Sequence, residues 1–235
     1  APGGVDPSQL ASTCDLVAVL GGDGTMLNAA NQLGPADIPV AGINVGTLGF
    51  LTTCTDSELD IFAKAVANKD YTLITRMQLR ATITSADGTK KSFRALNEVT
   101  LARGQTGRLV ALDAWVDGEL LNHYRADGLI VATTTGSTAY SLSAGGPLIA
   151  PKAEVFVITP ICPHSLSNRS LVVSHSSLVE LAPAEDAECP MFLTVDGRDV
   201  MAINQGDRIQ VEQAGHALPL LRLEGRNFYS TLRQK

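Results

Sequence analysis

Residues 15–25, DLVAVLGGDGT, constrain this chain more than any other stretch. An apolar run ends at Leu20 without polar alternation, the pattern of a short strand buried on both faces. Glycines and an aspartate follow at once, and MLNAANQL then reads as a helix. A strand that passes into a helix through so tight a turn belongs to a βα unit, whose sheet is parallel and covered by helices. Residues 39–44, PVAGIN, repeat the strand pattern and end in the turn VGTLG. Thr55-Asp-Ser-Glu58 has the form of a capping box: the Thr55 hydroxyl is placed to accept from a backbone N–H near Glu58, and Glu58 to reach back. The helix it opens is expected to carry Leu59, Phe62, Ala63 and Val66 on its apolar face.

Beyond this point strands dominate. RMQLRATITSADGTKKSFRALNEVTLAR holds two alternating runs around Asp87-Gly88, and Asp117-Gly118 and Asp196-Gly197 mark two more hairpins. SLVVSHSSLVEL, DRIQVEQ and LPLLRLE add β-rich segments, and RNFYSTLRQK reads as a short closing helix. The expected fold class is an α/β N-terminal domain with a partly parallel sheet, plus a larger β-rich C-terminal domain. The domain bounds are 1–70 for the first and 71–225 for the second, with a C-terminal helix over 226–235 able to return to the first domain.

Composition narrows the partners. Eighteen basic residues face 24 acidic ones, a net charge of −6, which argues against nucleic acid, since phosphate backbones need basic stripes. No apolar run approaches the ~18 residues of a membrane span, and the start, APGGVDPSQLASTCD, shows no secretory pattern. The cysteines, Cys14, Cys54, Cys162 and Cys189, are widely spaced and read as reduced thiols, not as a disulfide framework or zinc site. A cytoplasmic protein is expected. Cys162 and His164, in TPICPHS, are read as part of a structural turn and not as a nucleophile with its base.

Three segments carry chemistry. In Gly21-Gly-Asp-Gly-Thr25 the glycines let the backbone bend and approach a ligand, and the following helix N-terminus suits phosphate. Asp23 sits where phosphate would gather; it suits accepting a proton from an attacking hydroxyl or helping to hold a magnesium ion. The plainer alternative is a sharp turn with Asp23 as helix cap. Asn97-Glu98 offers donors and acceptors for the polar edges of a nucleotide, although the dipeptide alone fits a solvated strand end equally. Residues 124–151, YRADGLIVATTTGSTAYSLSAGGPLIAP, place a buried strand before a run crowded with Thr, Ser and Gly. That density is poor for a core and good for contacts to a polar ligand, with Asp127 as an acceptor; the alternative is a surface loop.

Together these segments resemble the NAD kinase family, the ATP- or polyphosphate-dependent NAD kinases of bacterial type. The marks are GGDGT after a strand, the NE pair, DGLI…TGSTAYSLSAGGP, and the run ITPICPHSLSNRSLVV. GGDG alone also occurs in diacylglycerol and sphingosine kinases and, more loosely, in phosphofructokinases. The resemblance implies an enzyme that transfers a phosphoryl group from ATP, or another donor such as polyphosphate, to the 2′-hydroxyl of the adenosine ribose of NAD, making NADP. It implies Mg2+ as the cation, NAD and ATP as ligands, and a homodimer or homotetramer. It places Asp23 as the proton acceptor, with Gly22, Gly24 and Thr25 in the nucleotide-binding loop. It assigns Asn97 and Glu98 to NAD, Arg108, Arg125 and Asp127 to dinucleotide contacts, and Thr138, Ala139, Tyr140 and Ser143 to the lining of the NAD site.

Three departures stand out. Thr134 replaces a proline usual in TPTGSTAY, which is expected to loosen that loop. Arg198 follows Asp196-Gly197 where Gln is usual, and an Arg cannot accept a hydrogen bond. The family carries a further strand and helix ahead of the residue at which this sequence begins, so the α/β domain is expected to be shortened there. Two rival readings are a lipid kinase sharing the glycine loop and a non-catalytic nucleotide-binding regulator. The polar TGSTAYSLSAGGP run and the absence of a basic amphipathic helix disfavour the first, and the retained Asp23 disfavours the second.

Overall fold

A computed structural model of the chain describes residue 4 and residues 6–35, 37–105, 107–165 and 167–235. Leu166 of the ITPICPHSLSNRSLVV segment and residues 1–3 and 5 of the N-terminal segment lie outside the described residues. The chain forms two units, one of residues 1–76 and 216–235, the other of residues 77–215.

The first unit contains α1 (Leu10–Thr13), β1 (Val17–Leu20), α2 (Asp23–Leu33), β2 (Val40–Asn44), β3 (Cys54–Thr55), α3 (Leu59–Asn68) and β4 (Tyr71–Arg76). Its five-stranded sheet runs in the order β1, β2, β17 (Leu218–Leu223), β4, with β3 on β2. β2 pairs in parallel with β1, β3 and β17, whereas β17 and β4 are antiparallel. The βα reading of the N-terminal segment therefore holds, but its first strand is not buried on both faces: β1 is an edge strand, with Leu20 69% exposed. LPLLRLE, grouped by sequence with the β-rich part, is the strand β17 of this sheet, and α5 (Phe228–Leu232) follows it.

Ala41, Ile43, Cys54, Leu221 and Leu223 form the core of this unit, with Phe62, Ala65 and Val66 of α3 packed on it. The expected face of α3 is thus partly wrong: Leu59 is 43% exposed and Ala63 is also exposed. A 3₁₀ turn over Asp56–Glu58 precedes the helix. Ala65 takes the place of Leu59 and Ala63 on the buried stripe. Glu58 does reach back to Thr55 N–H (2.9 Å), and the Thr55 hydroxyl also donates to that carboxylate (2.9 Å).

The second unit holds β5 (Leu79–Thr84), β6 (Lys90–Ala95), β7 (Glu98–Arg103), β8 (Val110–Val116), β9 (Glu119–Ala126), β10 (Gly128–Ala132), α4 (Tyr140–Ser143), β11 (Val155–Ile161), β12 (Leu171–Ser174), β13 (Val179–Pro183), β14 (Met191–Val195), β15 (Arg198–Ile203) and β16 (Arg208–Gln213). Two six-stranded sheets form, in the orders β12-β11-β10-β7-β14-β15 and β6-β5-β16-β13-β8-β9. Every pairing in them is antiparallel. Leu101, Leu129, Phe156 and Leu193 of one sheet meet Leu79, Ile83, Leu112 and Leu181 of the other in one core. The other face of β10 and β11 is covered by Ile149, so Ile130, Ala132 and Val157 are buried too. β10 therefore reads GLIVA without alternation, while β5, with one face out, alternates. The three Asp-Gly pairs all close hairpins; Asp117 and Asp196 adopt φ values of 53° and 49°, matching the twist of the flanking strands.

Gly42, in the middle of β2, has no space for a side chain: an added Cβ would lie 2.8 Å from Met26 Sδ and 2.9 Å from Thr52 Cα. Gly42→Ala should destabilise the first unit by about 1–3 kcal/mol, read as a lower midpoint in thermal unfolding followed by circular dichroism. An unchanged midpoint would show that β2 and the segment at Thr52 are not packed as described.

Candidate functional site

In the first unit the glycine loop joins β1 to α2. Gly21 has φ 144°, and a Cβ there would meet Thr25 Oγ1 at 2.3 Å. Gly22 is the N-cap of α2, and its carbonyl accepts from Thr25 N–H (3.0 Å) and Met26 N–H (3.1 Å). Gly24 faces open space. Asp23 opens α2 but does not cap it, which corrects the plainer reading. Its carboxylate accepts from two other backbone groups, Phe50 N–H to Oδ2 (2.9 Å) and Leu51 N–H to Oδ1 (3.0 Å). Gly49 is packed so closely on this carboxylate that a Cβ would lie 2.1 Å from Oδ1. Asp23 thus fastens the turn that follows β2 to the start of α2. Each oxygen retains a further lone pair for a ligand hydroxyl.

In the second unit Asn97 and Glu98 are buried, at 9% and 6% exposure, so the solvated strand end is excluded. Their backbone is held by Asp196, whose carboxylate accepts from the N–H groups of Leu96 (2.9 Å), Asn97 (2.7 Å) and Glu98 (3.2 Å). Asp196 N–H in turn donates to the Glu98 carbonyl (3.0 Å). Thr133 closes the other side, its hydroxyl donating to Leu96 O (2.6 Å) and its N–H to Asn97 O (2.8 Å). Gly136 lies against the same carbonyl, where a Cβ would stand 2.2 Å from Asn97 O. Within this clip Glu98 Oε2 is buried without a hydrogen-bond partner. Burial, reinforced by the charge of Asp196, pushes the Glu98 carboxyl up to about 7. Burial also raises Asp196, against its three N–H donors and the charge of Arg198, which favour the ionised form. Arg198 is thus no acceptor, as its chemistry requires, but a stabiliser of the neighbouring carboxylate.

The resemblance also points to Tyr140 and Asp127. Tyr140, at the start of α4, is 46% exposed. Its hydroxyl is raised by burial first, then by Cys162, Asp127 and Glu98, with Arg103 opposing. These groups therefore share one neighbourhood. Asp127 accepts from Arg103 Nε at 2.6 Å, so its carboxylate is engaged within the protein. Thr138 is half-buried and donates to Thr135 O (3.1 Å), Ala139 is the N-cap of α4, and Ser143 is exposed at its end. Arg108 and Arg125 are exposed and pair with Glu188 (3.4 Å) and Asp186 (3.3 Å). Cys162 turns at φ 44°, and His164 N–H donates to Arg125 O (2.8 Å), as a structural turn requires.

The Thr/Ser/Gly run corrects one expectation. Its hydroxyls largely face inward: Ser137 donates to Thr134 O (2.7 Å) and accepts from Ile149 N–H (3.1 Å), and Ser141 meets Thr159 (3.0 Å), all buried. Gly146 lets that pair close, since a Cβ would lie 2.4 Å from Ser141 Oγ. Thr134 is 2% exposed and donates to Pro151 O (3.3 Å), so a hydrogen bond replaces the stiffness of the usual proline. Sequence reasoning missed Asp196 and Arg103. Asp196 was visible as a hairpin residue and as part of an Asp-Gly pair before Arg198, and its carboxylate role needs the register of β14 against β7, where Val195 faces Val99.

Residues 7–71 match the family model of the ATP-NAD kinase N-terminal domain, and residues 96–223 that of the ATP-NAD kinase C-terminal domain. The NAD kinase of Geobacter metallireducens is 40% identical over 232 residues, covering 99% of this chain and 82% of that protein. Among solved structures, yeast NADH kinase complexed with NADH aligns with a TM-score of 0.90 at 31% identity, covering 97% of this chain and 67% of that one. An NAD kinase from Archaeoglobus fulgidus in complex with ATP aligns with a TM-score of 0.80 at 27% identity, covering 97% and 86%.

Glu98 gives a prediction that needs no ligand. Its carboxyl sits at about 7 when folded against an ordinary value of 4.5. Between those values the folded chain binds a proton that the unfolded chain has released, so stability falls as pH rises through the window. Above it the cost of the buried charge reaches about 3 kcal/mol. Glu98→Gln removes the charge and should raise the melting temperature at pH 8 while leaving it close to wild type at pH 4.5. Equal melting temperatures of the two proteins at pH 8 would mean that Glu98 is not an isolated buried acid.

Proposed function

We infer the activity from membership: this chain belongs to the NAD kinase family. It is an NAD kinase, a phosphotransferase whose acceptor is an alcohol. The acceptor is the 2′-hydroxyl on the adenosine ribose of NAD, and ATP is the phosphoryl donor. We assign the proton of that hydroxyl to Asp23. The single observation behind this assignment is the fixed carboxylate in the glycine loop, oriented by two backbone N–H groups with lone pairs to spare. Gly22, Gly24 and Thr25 present a loop backbone that phosphate can approach, because Gly24 faces open space. In such transfers alignment and electrostatics supply most of the acceleration.

Asn97 and Glu98 bind the dinucleotide. Glu98 Oε2, buried and unpartnered, is an acceptor in want of a donor, and a ligand hydroxyl or amine would satisfy it. Tyr140, Thr138, Ala139 and Ser143 line the same neighbourhood, with Asp127 beside them and its carboxylate shared with Arg103. Arg108 and Arg125 contact the dinucleotide after exchanging their exposed acidic partners, which surface ion pairs permit at little cost. The active form is a homodimer or homotetramer, and the location cytoplasmic.

Among the described residues no three His, Cys, Asp or Glu side chains converge to hold a metal. Magnesium keeps several waters and rides on nucleotide phosphates. Bound there, the ion would neutralise charge on the donor phosphates. The lipid-kinase reading gains nothing from the two buried acids of the second unit, which suit a polar ligand, and the regulator reading gains nothing from a carboxylate fixed in the glycine loop.

Two variants test these roles. Asp23→Asn keeps only one acceptor oxygen, so one of the two backbone bonds is lost and the protein should melt lower, contrary to a simple isosteric swap. Turnover must therefore be normalised to folded protein. The kcat for NADP formation should fall by about 10²–10⁴-fold with NAD binding changed little, and a kcat within a few-fold of wild type would remove Asp23 as proton acceptor. Asn97→Ala should act mainly on KM for NAD, at about 1–3 kcal/mol for a lost buried hydrogen bond. A kcat loss with unchanged NAD binding in calorimetry would contradict its assignment to binding.

A further inference from the structure

The Asp23 carboxylate is only as well placed as the backbone it grips. Phe50 and Leu51 donate their N–H groups to it, so any freedom in residues 46–51 becomes freedom in the position of the acid. Several contacts restrain this segment from within and beside it. The Asn44 amide donates to Thr47 O, Gly49 N–H donates to the Thr52 hydroxyl at 2.7 Å, and Leu51 is buried.

A different kind of restraint comes from far along the chain. The Phe50 ring packs on Phe228, the first residue of α5, with centroids 5.7 Å apart and planes tilted by 38°. Phe228 in turn meets the edge of Tyr229 at 5.5 Å. Beside this contact the segment is not packed solid. A cavity of about 470 Å³ is lined by Gly46, Thr47, Leu48 and Ser57 together with Gln234 and Lys235 of the C-terminal segment.

The helix bearing Phe228 is itself anchored. Asn227 caps it, accepting from Ser230 N–H at 2.9 Å. Arg226 pairs with Glu58, and Glu58 accepts from Thr55 N–H at 2.9 Å. The turn at 226–228 therefore grips residues 50–58 near both ends, at Phe50 through a ring and at Glu58 through a charge.

We propose that Phe228 is a positioning residue for phosphoryl transfer: its ring, packed against Phe50, fixes the backbone N–H groups that orient the Asp23 carboxylate. The proposal rests on Asp23 as the proton acceptor. Catalytic geometry is sensitive on this scale, since a displacement of about 1 Å can cost about 10²-fold, whereas substrate affinity set elsewhere is unaffected.

The test is a double-mutant cycle on the full chain, with kcat and KM for NAD measured per folded molecule. Phe228→Leu removes the ring but keeps apolar bulk and the capped helix. It should lower kcat by about tenfold with KM unchanged, and Phe228→Tyr, which retains the ring, should restore it. In an Asp23→Asn background Phe228→Leu should cause no further loss. The proposal is overturned if Phe228→Leu leaves kcat unchanged and only lowers the melting temperature, if Phe228→Tyr behaves like Phe228→Leu, or if the loss is the same in both backgrounds. A near-wild-type kcat for Asp23→Asn alone overturns the proton-acceptor role itself and this proposal with it, a pattern distinct from the other three.

Discussion

A carboxylate that accepts from consecutive backbone N–H groups is the interaction on which the second unit's chemistry depends. Asp196 takes the N–H groups of Leu96, Asn97 and Glu98, all within 3.2 Å. This holds a strand end in a bent course that a sheet ladder could not satisfy. Buried N–H groups left without partners would cost about 1–3 kcal/mol each, so the bend exists because the aspartate is there. Once the bend is fixed, Glu98 is buried beside a second acid with one oxygen unpartnered. The fold thus retains an unfavourable arrangement that a ligand donor would relieve, which is the usual sign of a binding site.

The first unit repeats the device on a smaller scale. Asp23 accepts from Phe50 and Leu51, and Gly49 is obligatory because the carboxylate fills the space of its side chain. In the second unit the two jobs fall to two acids, Asp196 satisfying backbone donors and Glu98 left with an unpartnered oxygen; in the first unit Asp23 combines them. A structural and a chemical role are therefore not alternatives for Asp23. A carboxylate aimed by fixed amides is better prepared for proton transfer than one free to rotate, because the orientation is established during folding and not at the moment of reaction.

Much of this was legible where the signal is local. Asp-Gly pairs marked three hairpins because only certain residues tolerate the turn's positive φ, and the run into the glycine loop marked a βα unit. Legibility failed where a distant partner decides the outcome. LPLLRLE reads as a strand anywhere, and only its pairing with Val40 and β4 places it in the first unit's sheet. The stripe on α3 that packs, Phe62, Ala65 and Val66, is set by how the helix lies on the sheet, which the capping box does not reveal. Ser137 and Ser141 have the composition of a ligand-binding loop, yet they spend their hydroxyls on backbone and on Thr159 of β11 within the interior. Asp196 was hidden because a hairpin aspartate and a backbone clip look alike until the strand register is known. The family resemblance supplied site positions that no propensity could, and the structure then showed which acids are buried, which arginines are exposed, and which hydroxyls are already used.

This chain phosphorylates the 2′-hydroxyl of the adenosine ribose of NAD. The most direct measurement is phosphorus NMR of the products after the purified wild-type chain is incubated with NAD, ATP and magnesium. A new phosphomonoester resonance on the dinucleotide, at the adenosine 2′ position, should grow in step with ADP. Folded protein that consumes ATP without forming a phosphorylated dinucleotide, or that places the phosphate on another hydroxyl, would contradict it.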